Sequence, residues 1–233
     1  MVGKLLELFS GTHSIGKVAH EFGYDVVSVD MVEGDSSPFN NYKSDCHIQE
    51  DIMTWDYKIY PPHTFDVITA SPVCLWWSQL RKCWIDRKSL TINPDGSVVT
   101  SKNIERDIDK FGKPMVDKVI EILEYFQPKY WWIENPDGSS MKHYIHDTYP
   151  KYDKPHVVDY CAYNFEVKKP TRIWTNIPFS PKRCIGKDCD HIPFRNLSRH
   201  RLVNSTTKAT IKQMRYRVPY DLIRDLLKVI SSM

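Results

Sequence analysis

The stretch DVITASPVCLWWSQLR, residues 66–81, changes character at Ser71-Pro72. Before that point, Phe65 to Ala70 has the length and β-branched content of a strand buried in a parallel sheet. After it follows a loop that carries Cys74 and two tryptophans. Ligands of open α/β sheets bind beyond the carboxyl ends of the strands, so we predict that this loop lies over a ligand site.

The composition bounds the class of protein. The chain has 233 residues, 41% hydrophobic and 26% charged, which is enough for one α/β domain and an appendage. It has no apolar run of ~20 residues and no signal peptide, so we expect an intracellular protein without a membrane span. Six scattered cysteines favour reduced thiols over a disulfide scaffold. We expect a monomer.

The amino-terminal region predicts a cofactor site. KLLELF reads as a first strand, and a turn bracketed by Gly11 and Gly16 leads into a helix. This spacing differs from the dinucleotide pattern GxGxxG, which argues against a pyrophosphate ligand. The second strand ends at Asp30, where doubly wound folds place an acid that binds ribose hydroxyls. A solvated strand-end carboxylate is the alternative reading of Asp30.

The centre of the chain predicts further elements of an α/β fold. Residues 113–127 carry apolar side chains at helical spacing, and the strand that follows ends on Glu134-Asn135. Polar side chains at the tip of a buried strand are costly unless they meet a ligand or each other. We also predict an exposed hairpin around the turn 93–96, and a strand pair within 160–176.

Motifs in a fixed order carry a resemblance to the DNA (cytosine-5) methyltransferases. The order runs from Phe9-Ser10-Gly11 through Asp30, Asp51-Ile52, Pro72-x-Cys74 and Glu134-Asn135 to Arg172. The resemblance implies a doubly wound, mostly parallel sheet, with Cys74, Glu134 and Arg172 as catalytic residues that act on a cytosine flipped out of double-stranded DNA. It also implies that S-adenosylmethionine contacts Phe9, Ser10, Gly11, Thr12, Gly16, Asp30, Met31, Asp51, Ile52 and Pro72.

Charge is divided unevenly along the chain. Residues 168–217 hold 13 lysines or arginines against two acids, a net charge of +11, whereas the rest of the chain carries −8. A solvated basic face is the ordinary explanation, but this density with interleaved aromatic residues favours contact with nucleic acid. The predicted contacts are Trp76, Trp77, Ser78, Arg195, Arg199, Arg201, Lys208 and Lys212.

This division suggests three regions: a catalytic domain at 1–175, a small basic target-recognition segment at 176–214, and a C-terminal helix at 215–233 that packs back on the catalytic domain. In the basic segment, Cys184, Cys189 and His191 are spaced as C-x4-C-x-H. They are candidate zinc ligands, but the spacing matches no common zinc finger, so a loop with incidental thiols is the alternative.

Other functions remain open at this point. An RNA-directed relative would use the same cysteine chemistry on cytosine. A methyltransferase for exocyclic amines would need an aromatic residue in place of Cys74 and would not need Glu134. An inactive nucleic-acid-binding module would keep only the fold, and the presence of both residues argues against it.

Overall fold

A computed structural model describes residues 3–32, 45–186, 189, 192–193 and 216–233. The strands are β1 (Gly3–Leu8), β2 (Tyr24–Asp30), β3 (Cys46–Gln49), β4 (Val67–Ala70), β5 (Tyr130–Pro136), β6 (Pro155–Asp159), β7 (Val167–Lys168), β8 (Pro170–Thr175) and β9 (Ile192–Pro193). The helices are α1 (Ser14–Glu21), α2 (Ser101–Asp107), α3 (Lys113–Phe126), α4 (Met141–Thr148) and α5 (Tyr220–Ser231). Within these described residues, no helix is both long enough and apolar enough to cross a membrane.

Seven strands form one sheet in the order β3-β2-β1-β4-β5-β8-β6. All neighbours pair in parallel except β8, which runs antiparallel to both β5 and β6. The strand order reverses between β1 and β4, and in such sheets the ligand crevice lies beyond the carboxyl ends at the reversal. The predicted doubly wound, mostly parallel sheet is therefore confirmed.

Helices cover both faces of the sheet. Successive residues of a strand point to opposite faces, so Leu5 packs in one apolar cluster and Leu6 in the other. α3 and α4 bury their apolar sides against the Leu6 face, and α1 and α5 against the Leu5 face. α5 thus packs on the same face of the sheet as α1, and the Tyr220 hydroxyl donates to Glu21 of α1 at 2.6 Å.

α3 shows how the sequence specifies a helix here. Pro114 stands in its first turn, directly after a π-helical turn, Ile108–Gly112, that joins α2 to α3. Val116, Val119 and Leu123 then recur on one face and are buried. The helix ends at Gln127, whose left-handed backbone (φ 49°) lets its amide donate to the Leu123 carbonyl.

Two local predictions are wrong. The turn at 93–96 does not join a hairpin, because Val98 and Val99 form bridges to Lys88 and Ile85 instead of to residues 90–92. Burial explains the difference: Val99 is fully buried in a small apolar cluster, which holds it against its own core rather than on an exposed ribbon.

The expected strand pair within 160–176 is also different. Tyr160–Tyr163 forms a 3₁₀ helix, and β8 pairs with β5 on one side and β6 on the other. β6 was not predicted. The pairing of β8 with β5 matters for the site described below, because it brings the basic stretch before β8 next to the end of β5.

Candidate active site

Cys74 and Glu134 lie at the carboxyl edge of neighbouring strands. Glu134 belongs to β5, and Cys74 follows β4, whose residue Ala70 pairs with Ile133. Asn135 fastens the two segments together, because its buried side-chain amide donates to the Pro72 carbonyl at 2.9 Å. The two predicted catalytic residues are therefore brought to the same edge of the sheet, and the cysteine loop is fixed to β5.

Glu134 is held by a tyrosine and a lysine. Its carboxylate is only 6% exposed. The Tyr160 hydroxyl donates to Oε1 at 2.5 Å, and Lys169 Nζ lies 3.5 Å from the same oxygen. Lys169 also lies over the Tyr160 ring, 4.7 Å from its centroid. Both contacts use Oε1, and they fix the orientation of the carboxylate. Among the described residues, Oε2 has no hydrogen bond to another side chain.

The pKa of Cys74 reflects this surrounding. Burial raises the pKa of the thiol above its ordinary value. The positive charge of Lys169 lowers the pKa of Cys74, and the negative charge of Glu134 raises it further. Cys74, Glu134 and Lys169 thus form one electrostatic cluster, in which burial outweighs the lysine and the resting thiol is protonated near neutral pH.

Arg172 is oriented toward a different acid. Its Nε and Nη2 donate to Asp137 Oδ1 at 3.0 and 2.7 Å. Among the described residues, the cation beside Glu134 is Lys169, which sequence reasoning missed. The catalytic role of Arg172 stays a prediction. Lys169 stands three residues before Arg172 in the run KKPTR, and no local pattern distinguishes it from the other lysines and arginines of residues 168–217.

Trp77 does not present its ring to a ligand. It is 3% exposed and stacks on Tyr144, with ring centroids 5.6 Å apart. The start of α3 is close to it, because a Cβ added to Gly112 would lie 2.9 Å from the indole. The predicted nucleic-acid contact through Trp77 is therefore wrong: this tryptophan anchors the cysteine loop to the core.

Trp76 and Ser78 lie nearer the surface. Trp76 is partly buried and stacks on Phe111 at 4.6 Å between ring centroids. The Ser78 hydroxyl accepts a hydrogen bond from the Leu80 amide at 3.3 Å, which caps a short 3₁₀ helix. Both border a mainly apolar groove of about 290 Å³, lined by Leu75, Trp76, Ser78, Leu80, Arg81, Trp84, Ser89, Thr91 and Ile92. Their contact with nucleic acid stays a prediction.

The predicted cofactor loop is shaped by Asp30. Its Oδ2 accepts the Gly11 amide at 2.9 Å, and its Oδ1 accepts the Val32 amide at 3.1 Å. Phe9 and Gly11 both have positive φ angles, 58° and 46°, so the chain turns sharply after β1. Ser10 Oγ is buried and has no hydrogen-bond partner among the described residues.

The other predicted cofactor residues cluster at the same edge. Met31 follows β2 and is 65% exposed. Asp51 follows β3, its Oδ1 accepts the Met53 amide at 3.0 Å, and Ile52 is buried beside it. The remaining members are Thr12, whose hydroxyl is 2.6 Å from that of Ser14, Gly16, which is buried in the first turn of α1, and Pro72, which is buried before Cys74.

The structure places two of the three candidate zinc ligands close together. Cys184 and Cys189 are brought together, and a third thiol that was not predicted, Cys161, joins them. Burial and the two neighbouring thiols raise the pKa of Cys161 to about 12. His191 lies outside the described residues, as do five predicted nucleic-acid contacts: Arg195, Arg199, Arg201, Lys208 and Lys212.

The chain is similar in sequence to a viral protein. A protein of Frog virus 3 (isolate Goorha) named "Probable DNA (cytosine-5)-methyltransferase" is 38% identical over 236 residues, which cover 96% of this chain and 98% of that one. No protein-family model matches.

Solved structures with some likeness include the S. pombe Dnmt2 methyltransferase (12% identical, TM-score 0.47) and a DNMT2 variant of Spodoptera frugiperda (16%, TM-score 0.45). They match 89% and 88% of this chain, which spans only 58% and 61% of theirs. Because the viral relative is similar over nearly the full length of both proteins, the chain belongs to the DNA (cytosine-5)-methyltransferase family.

Proposed function

We propose that this protein transfers a methyl group from S-adenosylmethionine to C5 of cytosine in double-stranded DNA, through a covalent bond between Cys74 and C6 of the base. The observation that carries the proposal is the hydrogen bond from Asn135 to Pro72, which fixes the Cys74 loop to β5, the strand that carries Glu134. The crevice between β1 and β4, where the strand order reverses, lies at the same edge.

The residues of the predicted cofactor loop fit S-adenosylmethionine. Ser10 Oγ is a buried polar atom in need of a partner, and each Asp30 oxygen retains a lone pair after accepting one backbone amide. Asp30 would bind the ribose hydroxyls, and Asp51 with Ile52 would contact the adenine. S-adenosylmethionine supplies an electrophilic methyl group on a sulfonium centre.

Cys74 supplies the nucleophile. Its thiol loses a proton and the sulfur forms a bond to C6 of the cytosine, which moves electron density to C5. C5 then takes the methyl group, its proton is removed by a base, and the sulfur–C6 bond breaks to restore the aromatic ring. Lys169 favours the thiolate, because its positive charge lowers the pKa of Cys74.

Glu134 recognises the base edge in this proposal. A carboxyl group that meets N3 of cytosine stabilises the electron-rich adduct by a charge-assisted hydrogen bond. Tyr160 and Lys169 hold Oε1, which orients the other oxygen for that contact. We further propose that Arg172 contributes positive charge near the adduct, from its position on Asp137 beside β5.

The partner and the regions follow from the charge division. We propose that residues 1–175 form the catalytic domain, 176–214 the recognition segment that contacts phosphates, and 215–233 the helix that closes on the domain. The excess of cations in 168–217 supports duplex binding, because lysine and arginine release counterions from the DNA backbone.

Covalent trapping tests this mechanism. Duplex DNA that contains 5-fluorocytosine cannot lose a proton from C5, so the protein with S-adenosylmethionine should give an adduct that survives denaturation. Cys74→Ser should give none, because a hydroxyl is a far weaker nucleophile at this pH. Cys83→Ser, which alters an exposed cysteine elsewhere in the chain, is the matched control and should trap as the parent does.

The result distinguishes the alternatives. An adduct on DNA that Cys74→Ser abolishes supports the proposal. Trapping on RNA oligonucleotides but not on DNA, or full methyl transfer by Cys74→Ser, would overturn it.

A further inference from the structure

Three cysteine sulfurs lie together outside the active site. Cys161 belongs to the 3₁₀ helix Tyr160–Tyr163, whereas Cys184 and Cys189 come from the start of the basic segment. The three Sγ atoms all lie within 4.8 Å of one another. A tetrahedral zinc ion with zinc–sulfur bonds of ~2.3 Å separates its sulfurs by ~3.8 Å, so small side-chain movements suffice to form a site.

The backbone between two of the cysteines is bent so as to bring them together. Gly186 has a φ of 79°, which glycine adopts without strain. Its amide donates to Cys184 Sγ at 3.4 Å, and its carbonyl accepts the Cys189 amide at 3.3 Å. A backbone amide directed at a cysteine sulfur favours the thiolate, the form of cysteine that binds metal.

A buried carboxylate fixes Cys184 relative to Cys161. Asp159, which is 2% exposed, accepts the Cys184 amide at 3.0 Å and Arg183 Nε at 2.7 Å. The Asp159 amide in turn donates to the Lys182 carbonyl at 3.1 Å. Because Asp159 stands only two residues before Cys161, these contacts hold the two thiols close to each other without a disulfide between them.

We propose that Cys161, Cys184 and Cys189 bind one zinc ion, which fastens the start of the basic segment to the catalytic domain. Thiolates are soft ligands that select zinc, copper(I) or iron–sulfur clusters, and zinc is the usual structural metal of sites built from several cysteines. Water or a further side chain completes the coordination. No disulfide joins any of the six cysteines, all of which are described.

The location gives the ion a structural role. Cys161 directly follows Tyr160, whose hydroxyl holds Glu134. Beyond Cys189 the chain pairs with the catalytic domain again, because β9 lies parallel to β7, just before Lys169. The zinc ion therefore stabilises the connection through which the basic segment meets the residues around Glu134.

Metal analysis of variants tests the site. The full-length protein, purified without chelators, should contain about one zinc per chain by mass spectrometry of the elements, a stoichiometry that follows from a single three-thiolate site. Cys161→Ser and Cys184→Ser should each lose most of the zinc, whereas Cys46→Ser and Cys83→Ser, at exposed cysteines outside the cluster, should retain it. Zinc that persists in both cluster variants would overturn the proposal, as would a parent protein that neither contains zinc nor binds added Zn²⁺.

Alkylation of the parent protein tests the site even where a variant fails to fold. With Zn²⁺ present, iodoacetamide should modify Cys46 and Cys83 and leave the three cluster cysteines protected; removal of zinc by a chelator should expose all three together. Added Co²⁺ should give the near-ultraviolet absorption of thiolate-to-cobalt charge transfer. A disulfide between Cys184 and Cys189, or protection that does not depend on metal, would contradict the proposal. These results are independent of methyl transfer.

Discussion

Lys169 and Glu134 act on the pKa of Cys74 in opposite directions, and burial acts more strongly than either. A partly buried thiol with a raised pKa is a poor nucleophile at rest, so the charges that surround it decide how often the thiolate forms. This gives the lysine a function that its ion pair with Glu134 alone does not explain.

Alkylation of Cys74 should therefore respond to both neighbours. Lys169→Gln removes the charge that lowers the pKa of Cys74, so alkylation at fixed pH should slow by about two- to fivefold, since the higher nucleophilicity of a more basic thiolate offsets part of the loss. Glu134→Gln should accelerate it by a similar factor. In all three proteins the rate should rise with pH through the raised pKa, without a plateau near neutral pH. Iodoacetamide labelling followed by peptide mass spectrometry measures the rate.

Cys83 in the same samples is the internal control, because it is exposed and distant in sequence from the pair. Equal effects on Cys74 and Cys83 would mean that the substitutions act through the whole fold. No effect on Cys74 would show that its thiolate is controlled elsewhere.

Asp30→Ala should weaken S-adenosylmethionine binding by about 1–3 kcal/mol, a loss of roughly five- to 150-fold, because it removes a partly buried acceptor and releases the Gly11 amide that shapes the turn. Calorimetry measures the affinity, and DNA affinity should stay unchanged. Asp147→Ala, at an exposed acid on α4, should bind the cofactor normally. An unchanged affinity in Asp30→Ala would exclude the ribose role.

Residues differ in how far the sequence reveals their place in the fold. The positions of Cys74, Glu134 and Asp30 at the carboxyl edge of the sheet could be predicted, because each polar side chain follows or ends an apolar run of strand length. Lys169 could not, since its role depends on the pairing of β8 with β5, which is a contact between distant parts of the chain. Trp77 was misread because an aromatic residue in a loop can face the core or the ligand, and sequence alone does not distinguish them.

At the scale of elements, the residue before α3 packs against Trp77 of the cysteine loop. Gly112 immediately precedes α3, and an added Cβ would lie 2.9–3.2 Å from three atoms of the Trp77 indole. Trp77 cannot easily retreat, because Tyr144 of α4 stacks on it. Residues near 112 and near 77 are thus coupled by close packing.

Gly112→Ala should consequently destabilise the protein by about 1–2 kcal/mol, the cost of overpacking less the gain in helix propensity. It should also slow trapping on 5-fluorocytosine DNA, since the indole must shift with the loop that carries Cys74. Chemical denaturation measures the stability. Gly138→Ala is the matched control, because a Cβ there meets nothing within 4 Å. Equal stability of the two variants would contradict the coupling.

Elements with a long repeating pattern could be predicted from the sequence, as α3 and α5 show. β6 was missed, because its five residues lack a buried apolar run and their partner is the distant strand β8. The region around Val99 was misassigned because a turn signal between apolar residues suits a hairpin as well as a loop folded over its own small core. Tertiary contacts decide such cases.

At the scale of the whole molecule, positive and negative charge are concentrated in different parts of the chain. The segment 168–217 has a net charge of +11, and the rest of the chain has −8. An acidic body disfavours unspecific contact with a polyanion, so DNA should approach through the basic segment and the site edge next to it. β8 lies within residues 168–217 and also belongs to the sheet. The stretch of positive charge therefore begins beside Glu134, which Lys169 contacts.

The salt dependence of DNA binding tests this division. If Arg195, Arg199 and Arg201 contact phosphates, their joint replacement by alanine should reduce the slope of log affinity against log salt by roughly two to three units, nearly one for each lost contact. All duplex sequences should be weakened alike, because phosphate contacts position the DNA without reading it. Fluorescence anisotropy across a salt series measures the slope.

The matched control removes the same charge from the amino edge of the sheet, away from the edge that carries Cys74 and Glu134. Lys4, Lys129 and Lys151 are exposed and stand at or before the amino ends of β1, β5 and β6. Their joint replacement by alanine lowers the net charge equally, so any change in slope that comes from overall charge would appear in both triple variants. A reduced slope only in the arginine variant shows that the basic segment contacts the phosphates. An equal slope in the two variants would mean that this segment is a solvated face, and that DNA reaches Cys74 past the Trp76 loop alone.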